Sequence, residues 1–423
     1  MKTNLKRFNS SQTKHNYSKT LVWLMFLIQF FGFFLLLINQ SQTPSIEFIG
    51  LGLAFIILTL IINIFFPRWT QGDSLLIFIV NMIYSIGFIM ITRINLYTGR
   101  SHVIWYLLAI LVSCFVFLVL SKAMNLFKNK FFFYFTVTLI TFIVTLVAGQ
   151  VSGGAKNWIQ IGNGLTIQLS EFAKIGFVFM IASFYGDYEK IKDYKYGEYY
   201  LNIATYLFIG LFFLQGELGT AMVFFAVFIF SMFVYERRYW LIAINFMLAF
   251  LGLFIAYQIF GHIRVRFKIW QDPWADYHGG GYQLIQGLFA IASGGLFGSG
   301  LGLGSPNLIP VASSDFIFAA VAEEMGVFMG ISIILLFVIL IYKGIKIALS
   351  NQDVFFSSLA FGISIIFASQ ALVMFGGVLK LIPLTGITTP FLSYGGSATL
   401  SSFILLAVIQ FTSSKKKVRY EEQ

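Results

Sequence analysis

Long runs of apolar residues, separated by shorter polar stretches, follow one another along almost the whole chain. A helix needs roughly 20 mostly apolar residues to cross the hydrocarbon core of a bilayer. The pattern therefore predicts an all-α polytopic membrane protein with about 12 transmembrane helices. The predicted spans are Thr20–Asn39, Ile46–Phe66, Ser74–Thr92, His102–Leu120, Phe131–Gly149, Glu171–Tyr185, Tyr200–Leu214, Leu218–Tyr235, Tyr239–Phe260, Phe316–Tyr342, Val354–Leu379 and Ser393–Phe411.

The composition agrees with a membrane protein and excludes several other classes. Apolar residues make up 58% of the 423 residues and charged residues only 11%, whereas a soluble domain carries about 25% charged residues. The one cysteine, Cys114, excludes an internal disulfide. The four histidines show no ligand spacing, so no metal site and no cofactor can be identified from the sequence.

The positions of the basic residues predict the orientation of the chain, because cytoplasmic loops carry an excess of Lys and Arg. With both termini cytoplasmic, most of the 28 Lys and Arg residues lie on that side, including the basic tails 1–19 and 413–423. The outer side then receives Arg93, Arg100, Lys156, Arg264, Arg266, Lys268 and Lys380. We assign the net charge of +11 to topology and to contact with anionic membrane lipids, and we expect no nucleic-acid partner.

Two segments on the predicted outer side are long, residues 150–170 and 261–314, whereas the cytoplasmic connections are short. Long loops in compact proteins are usually functional, so we expect the chemistry on the outer face. Asp315 follows the second segment and precedes an apolar span. Two interpretations stay open here: Ser314 or Asp315 caps the helix, or Asp315 is a general base for a sugar hydroxyl.

Five charged residues lie in or near apolar spans: Glu171, Lys174, Glu217, Glu323 and Glu324. A charge near the bilayer centre costs roughly 2.5–3.5 kcal/mol, so each is a functional candidate. Glu171 and Lys174 are three residues apart on one helix face. The alternative for these two is a buried pair whose charges neutralise each other.

The outer cations suggest capture of a phosphate or diphosphate, which Arg binds well through paired hydrogen bonds. The alternative is solvated loop charge. The candidates are Lys156, Arg264, Arg266, Lys268 and Lys380. Trp158, Trp270 and Trp274 are interpreted either as interfacial anchors or as stacking surfaces for a sugar.

Residues 294–304 and 383–396 are rich in glycine or proline and interrupt the helical pattern. Irregular backbone at membrane depth is tolerated only where it is buried or lines a cavity, so both stretches predict tight turns near the membrane surface. From the residues alone, two classes remain: an enzyme acting on a lipid-linked anionic substrate, and a transporter, which also uses broken helices and intramembrane charges.

Six stretches together resemble the SEDS (shape, elongation, division and sporulation) family, the FtsW/RodA/SpoVE group. They occur in family order between about Ser74 and Phe411, so residues 20–73 form two additional spans before a family core at 74–412. The stretches are GAKNWIQIG (Gly154–Gly162), IQLSEFAK (Ile167–Lys174), QGELGTA (Gln215–Ala221), GGYQLIQGLFAIASGGLFGSGLG (Gly280–Gly302), SDFIFAAVAEEMG (Ser314–Gly326) and LIPLTGITTPFLSYGGSA (Leu381–Ala398).

The resemblance implies a peptidoglycan glycosyltransferase that polymerises lipid II, an undecaprenyl-diphosphate-linked disaccharide-pentapeptide, at the outer face of the bacterial cytoplasmic membrane. Its partners would be the lipid-linked glycan strand, a class B penicillin-binding protein that crosslinks the glycan, and divisome or elongasome proteins. The family's essential aspartate carries over to Asp315, and its outer tryptophan to Trp158. Its S-E-F-A-K motif carries over to Ser170, Glu171 and Lys174.

This chain departs from the family pattern at two acidic motifs. Glu217 replaces the family's aspartate in Q-P-D-L-G, and Ser314 replaces the threonine before the essential aspartate. The stretch Leu379–Gly386 looks more FtsW-like than RodA-like.

The expected roles are catalysis by Asp315 and substrate binding by a set of other residues. A divalent cation, Mg²⁺ or Mn²⁺, could assist the leaving diphosphate. Two alternatives stay open: a lipid II flippase, and a non-catalytic scaffold that recruits the penicillin-binding protein. The residues expected to bind substrate are Lys156, Trp158, Glu171, Lys174, Glu217, Arg264, Arg266, Lys380 and Ser393.

Overall fold

The computed structural model describes residues 2–39, 46–152, 155–161, 165–236 and 238–421. Within these residues, 12 helices are long and apolar enough to cross a membrane, which confirms the predicted number. The helices are α1 (Lys2–Asn39), α2 (Ile46–Thr70), α3 (Ser74–Ile94), α4 (Leu96–Phe127), α5 (Phe131–Ala148), α6 (Leu169–Gly186), α7 (Tyr188–Ile191), α8 (Tyr200–Gln215), α9 (Leu218–Tyr235), α10 (Tyr239–Ile259), α11 (Gly261–Gln271), α12 (Gly280–Gly294), α13 (Ile317–Ser350), α14 (Val354–Val378) and α15 (Gly396–Glu421). Short 3₁₀ turns lie at Gly197–Tyr199, Pro273–Asp276 and Pro306–Leu308.

Several helices extend beyond the predicted spans. Helix α1 begins at Lys2, so residues 2–19 of the predicted basic tail are part of this helix. Helix α15 continues to Glu421. Helix α13 contains a break at Gly326, where φ is 79°. A left-handed backbone angle of this kind suits glycine, which has no Cβ. The predicted outer loop 261–314 is partly helical, since it contains α11 and α12.

A small antiparallel sheet occupies the segment predicted as an outer loop at 150–170. Its strands are β1 (Gln150–Ser152), β2 (Ala155–Ile161) and β3 (Leu165–Gln168), in the order β1-β2-β3. Trp158 of β2 lies opposite Gln150 on one side and Gln168 on the other. The backbone N–H of Gln168 donates to Ser397 Oγ at 3.0 Å, so the sheet is attached to the start of α15.

The helix ends form two opposite faces of the bundle. One of them, the loop face, carries the sheet, α11, α12 and the 379–395 connection. The other face is joined by ion pairs such as Lys343–Asp73, with Nζ 2.9 Å from Oδ2, and Arg238–Glu198, at 2.6 Å. The assignment of the loop face to the outside stays a prediction. Arg237, one of the predicted cytoplasmic cations, lies outside the described residues, as do Gly154 and Gly162.

Candidate active site

Asp315 and Arg266 line one pocket on the loop face, with a volume of about 200 Å³. Helices α11 and α12 form one wall, and the 384–386 stretch forms another. The other lining residues are Ile269, Trp270, Gly280, Gln283, Leu284, Leu384 and Gly386. The pocket therefore brings together one acid, one guanidinium, one amide and one indole ring.

Gly386 lies between the acid and the guanidinium. A Cβ built at this glycine would lie 3.5 Å from Arg266 Nη2 and 3.7 Å from Asp315 Oδ2. Its φ of 73° also favours glycine. The missing side chain leaves open the space that both charged groups face.

Burial raises the pKa of Asp315 above its ordinary value of 3.8, while a hydrogen bond from Ser314 and the positive charge of Arg266 lower it in part. Burial also lowers the pKa of Arg266, and the charge of Asp315 opposes that shift. A carboxylate with a raised pKa holds a proton more strongly. Such a group is a better general base than an exposed aspartate.

The backbone that leads into Asp315 is held by the 389–394 stretch. Ser393 Oγ donates to the Ser314 carbonyl at 2.7 Å, and the Tyr394 N–H donates to the Ser313 carbonyl at 2.9 Å. Ser393 is buried and also accepts from the Thr389 N–H at 3.1 Å. Its hydroxyl thus donates to and accepts from the protein, and this geometry favours a positioning role for Ser393 over the predicted binding of substrate.

The capping interpretation of Ser314 and Asp315 is wrong. The N-cap of α13 is Phe316, which has no side-chain capping bond. Asp315 lies one residue earlier and lines the pocket instead.

Two hydrogen bonds join helix α11 to the 379–395 connection. Arg266 Nη1 donates to the Thr385 carbonyl at 2.5 Å, and Trp270 Nε1 donates to the Lys380 carbonyl at 3.0 Å. Lys380 therefore supports the pocket through its backbone. Its own ammonium is not among the groups that line the pocket.

Two other predicted cations donate hydrogen bonds to carbonyls at helix ends away from the pocket. Lys156 Nζ donates to the Leu146 carbonyl at 2.6 Å, at the end of α5. Arg264 Nη2 donates to the Gln258 carbonyl at 2.6 Å, at the end of α10. Basic side chains commonly satisfy the last carbonyls of a helix. Arg264 and Arg266 diverge because two helical positions differ by ~200° around the axis.

Glu171 and Lys174 form a buried pair, with Nζ 2.7 Å from Oε2. Ser401 Oγ donates to the same oxygen at 2.6 Å. Neither residue lines the Asp315 pocket. This geometry favours the interpretation of a self-neutralising structural pair.

Removal of one charge from this pair is expected to destabilise the protein strongly. In Lys174→Met, Glu171 keeps a buried charge without its partner, which typically costs about 3–5 kcal/mol. The double variant Glu171→Gln/Lys174→Met should recover much of that loss. Thermal unfolding in detergent measures both, with Lys192→Met, which breaks the exposed Lys192–Glu189 pair, as the control. Equal melting of Lys174→Met and Lys192→Met would contradict the pair's importance.

Glu217 joins the sheet to the start of α9. It accepts from Gln168 Nε2 at 3.0 Å, Ser170 Oγ at 2.9 Å and Thr220 Oγ1 at 2.5 Å. Burial raises the pKa of Glu217, and the hydrogen bond from Thr220 lowers it in part. Two residues later, Gly219 packs against Ile387. Glu217 therefore lies behind the 379–395 connection, whose 384–386 stretch forms the pocket wall, rather than in the Asp315 pocket.

Trp158 is half-buried in β2, opposite Gln168, and does not line the pocket. Trp270 and Gln283 do line it. The sequence predicts Trp270 mainly as a membrane anchor and gives no signal for Gln283, because nothing in the local pattern distinguishes either residue. Within the described residues, no group of three or more His, Cys, Asp or Glu could hold a metal ion.

Comparison with known proteins supplies the family. The family model described as "Cell cycle protein", which covers FtsW, RodA and SpoVE, matches residues 73–418. The chain belongs to the FtsW/RodA/SpoVE family. Peptidoglycan glycosyltransferase RodA of Mycobacterium tuberculosis is 31% identical and aligns with 94% of this chain and 90% of its own length. Stage V sporulation protein E of Bacillus subtilis is 36% identical, over 67% of this chain and 77% of its own.

Solved structures of the family share the fold. A chain from a peptidoglycan synthase complex, described as coordinating polymerization and crosslinking, superposes with a TM-score of 0.67 at 22% identity. It covers 82% of this chain and 98% of that chain. RodA of Thermus thermophilus gives a TM-score of 0.60 at 21% identity, over 84% and 99%. The family model begins after α2, whereas the mycobacterial alignment extends into α1 and α2.

Proposed function

We propose that this chain is a peptidoglycan glycosyltransferase that polymerises lipid II into β-1,4 glycan strands at the outer face of the bacterial cytoplasmic membrane. The strands would serve cell division or cell shape. The observation that carries the proposal is the pocket in which Asp315 faces the same open space as Arg266. Relatives named peptidoglycan glycosyltransferase RodA and FtsW support the same reaction class.

Asp315 is the group that activates the acceptor. The incoming lipid II presents the C4 hydroxyl of its N-acetylglucosamine, and Asp315 removes the hydroxyl proton as the oxygen attacks the anomeric carbon of the donor strand. The bond from that carbon to the lipid diphosphate breaks, and inversion converts an α linkage to a β-1,4 bond. The raised pKa of Asp315 supports this proton transfer.

Arg266 is the group that receives the leaving diphosphate. Negative charge grows on the diphosphate oxygens as the bond breaks, and a fixed guanidinium stabilises that charge more in the transition state than in the ground state. The hydrogen bond to the Thr385 carbonyl holds the Arg266 side chain in place. Among the residues that line the pocket, Asp315 is the carboxylate that would contact a Mg²⁺ or Mn²⁺ ion, and such an ion would supply further positive charge to the leaving diphosphate.

An apolar groove of about 340 Å³ between α4, α5, α6 and α15 suits a prenyl chain. Its walls include Phe115, Phe133, Phe172 and Phe179. The neighbour from a peptidoglycan synthase complex supports a crosslinking partner of the penicillin-binding class. The FtsW-like character of the stretch Leu379–Gly386 stays a prediction.

One experiment separates the enzyme from its two alternatives. Purified full-length protein is reconstituted with labelled lipid II, and glycan strands are separated on a gel. The enzyme makes strands; a flippase moves lipid II across the liposome without product; a scaffold does neither. In cells, growth supported by Asp315→Ala would favour the scaffold.

The pH dependence of polymerisation tests the state of Asp315. The base must be ionised, so turnover should fall as the pH drops through its raised pKa, at a pH above 3.8. The carboxyl itself does not cause acid unfolding: with a raised folded-state pKa, its contribution to stability is present below 3.8 and is lost as the pH rises through the raised value. Rates are measured from pH 4 to 8 by strand formation, with melting followed in parallel. A profile that stays flat down to pH 4 would contradict this assignment.

A further inference from the structure

The end of α1 contacts the glycine-rich segment 294–305, which connects α12 to the 306–316 stretch. Asn39 Nδ2 donates to the Leu301 carbonyl at 2.6 Å. Gly302 packs against the same helix: a Cβ built there would lie 2.9 Å from Asn39 Cβ and 3.6 Å from Leu36 Cδ2. An N-terminal helix outside the family model therefore touches a segment inside it.

Helices α3 and α13 hold the same segment from the other sides. Arg93 Nη2 donates to the carbonyls of Gly302 and Gly304 at 3.1 and 3.2 Å, and Arg93 Nε lies 3.2 Å from Glu324 Oε1. Glu324 Oε2 accepts from the Gly302 N–H at 2.8 Å. Glu323 Oε1 accepts from the Ser305 N–H, also at 2.8 Å. These contacts satisfy irregular backbone groups that have no helical partner.

Contacts with α2 and α3 set how deeply α1 lies in the bundle. Gln29 is fully buried and its Nε2 donates to Ser85 Oγ at 2.7 Å and to Thr59 Oγ1 at 3.0 Å. At Gly32 a Cβ would lie 2.8 Å from Ile89 Cδ1, so α1 approaches α3 closely. Polar contacts and small residues are what bring helices together in a bilayer. Asn39 lies ten residues after Gln29, about 15 Å along the helix, which fixes it beside Leu301.

We propose that α1 is a positioning element for the glycine-rich segment, and that Asn39 is the residue through which it acts. The segment lies between α12, whose Gln283 and Leu284 line the pocket, and the 306–316 stretch, which contains Asp315. Because the segment is held at Leu301, it keeps α12 and Asp315 in a fixed position relative to each other. The effect on the rate rests on the proposed function, whereas the effect on the order of the segment does not.

Hydrogen exchange followed by mass spectrometry on the full-length protein tests the order of the segment. The variant Asn39→Asp keeps the shape of the side chain but removes the donor, so two acceptors face each other. Amides of Ser299, Gly300, Gly302, Leu303 and Ser305 are hydrogen-bonded in the structure. We expect them to exchange about fivefold faster, the factor for one lost hydrogen bond. The matched control is Ile38→Ala, since Ile38 is 62% exposed on the same helix end.

Kinetics of strand synthesis test the positioning of Asp315. We expect Asn39→Asp to lower kcat about fivefold with the KM for lipid II unchanged, and Asn39→Gln, which restores an amide donor, to recover part of the loss. Unchanged exchange at 299–305 in Asn39→Asp would overturn the proposal. Faster exchange with an unchanged kcat would overturn the link to Asp315. If the wild type made no strands, the proposed function would fail, and the exchange result would still decide whether α1 holds the segment.

Discussion

Asp315→Asn is expected to lower the rate of glycan polymerisation by ~10²–10⁴-fold, the usual contribution of a general base. Asparagine has nearly the shape of aspartate but cannot take up the hydroxyl proton. Binding of lipid II should change little, because Arg266 and the apolar groove are retained. The measurement is the initial rate of strand formation from labelled lipid II by purified protein.

The melting temperature of Asp315→Asn distinguishes a loss of catalysis from a loss of folding. Burial disfavours the charged form of Asp315, so a neutral amide is not expected to lower the melting temperature. Asp193→Asn is the control, since Asp193 is exposed and lies on the face opposite the pocket. Undiminished turnover by Asp315→Asn would remove this residue from the role of base. Loss of melting temperature together with rate would point to a structural role instead.

Arg266→Ala is expected to lower kcat by ~10²–10³-fold, as does loss of one preorganised donor to a developing anion. Arg266→Lys should lose less, because it keeps the charge but not the planar pair of donors. The structure supplies a matched control two residues away on α11. Arg264→Ala removes the same side chain from the same helix, but Arg264 faces the end of α10, so its rate should stay close to that of the wild type.

The comparison of the two arginines also tests the prediction that both Arg264 and Arg266 bind the substrate. Equal losses in Arg264→Ala and Arg266→Ala would show that the cations of the loop face act as a diffuse positive surface rather than through the pocket. A raised KM with an unchanged kcat in Arg266→Ala would mean that Arg266 binds ground state and transition state equally. Single-turnover rates with preformed donor strands measure this difference.

The spans could be predicted because each depends on its own residues. An apolar run of sufficient length forms a helix in lipid whatever its neighbours do, since no other structure satisfies the backbone there. Asp315 could also be named beforehand, because it lies in a motif shared with the family. The sheet at 150–168 could not, because its strands have three to seven residues and their pairing depends on contacts along the chain that no local pattern specifies.

The chain by itself determined that the protein spans a membrane many times, that two apolar helices precede the part that resembles the family and that one acid heads a long span. Only the tertiary structure decided which cation accompanies that acid. Arg264 and Arg266 are the same residue type, but the direction in which each side chain points depends on how α11 lies against the 379–395 connection. The same holds for Asn39 and Leu301, which are 262 positions apart. Whether a segment is apolar enough to span the membrane depends on its own residues and can be predicted from the sequence. Contacts between particular polar groups far apart in the chain form only when the whole bundle is folded.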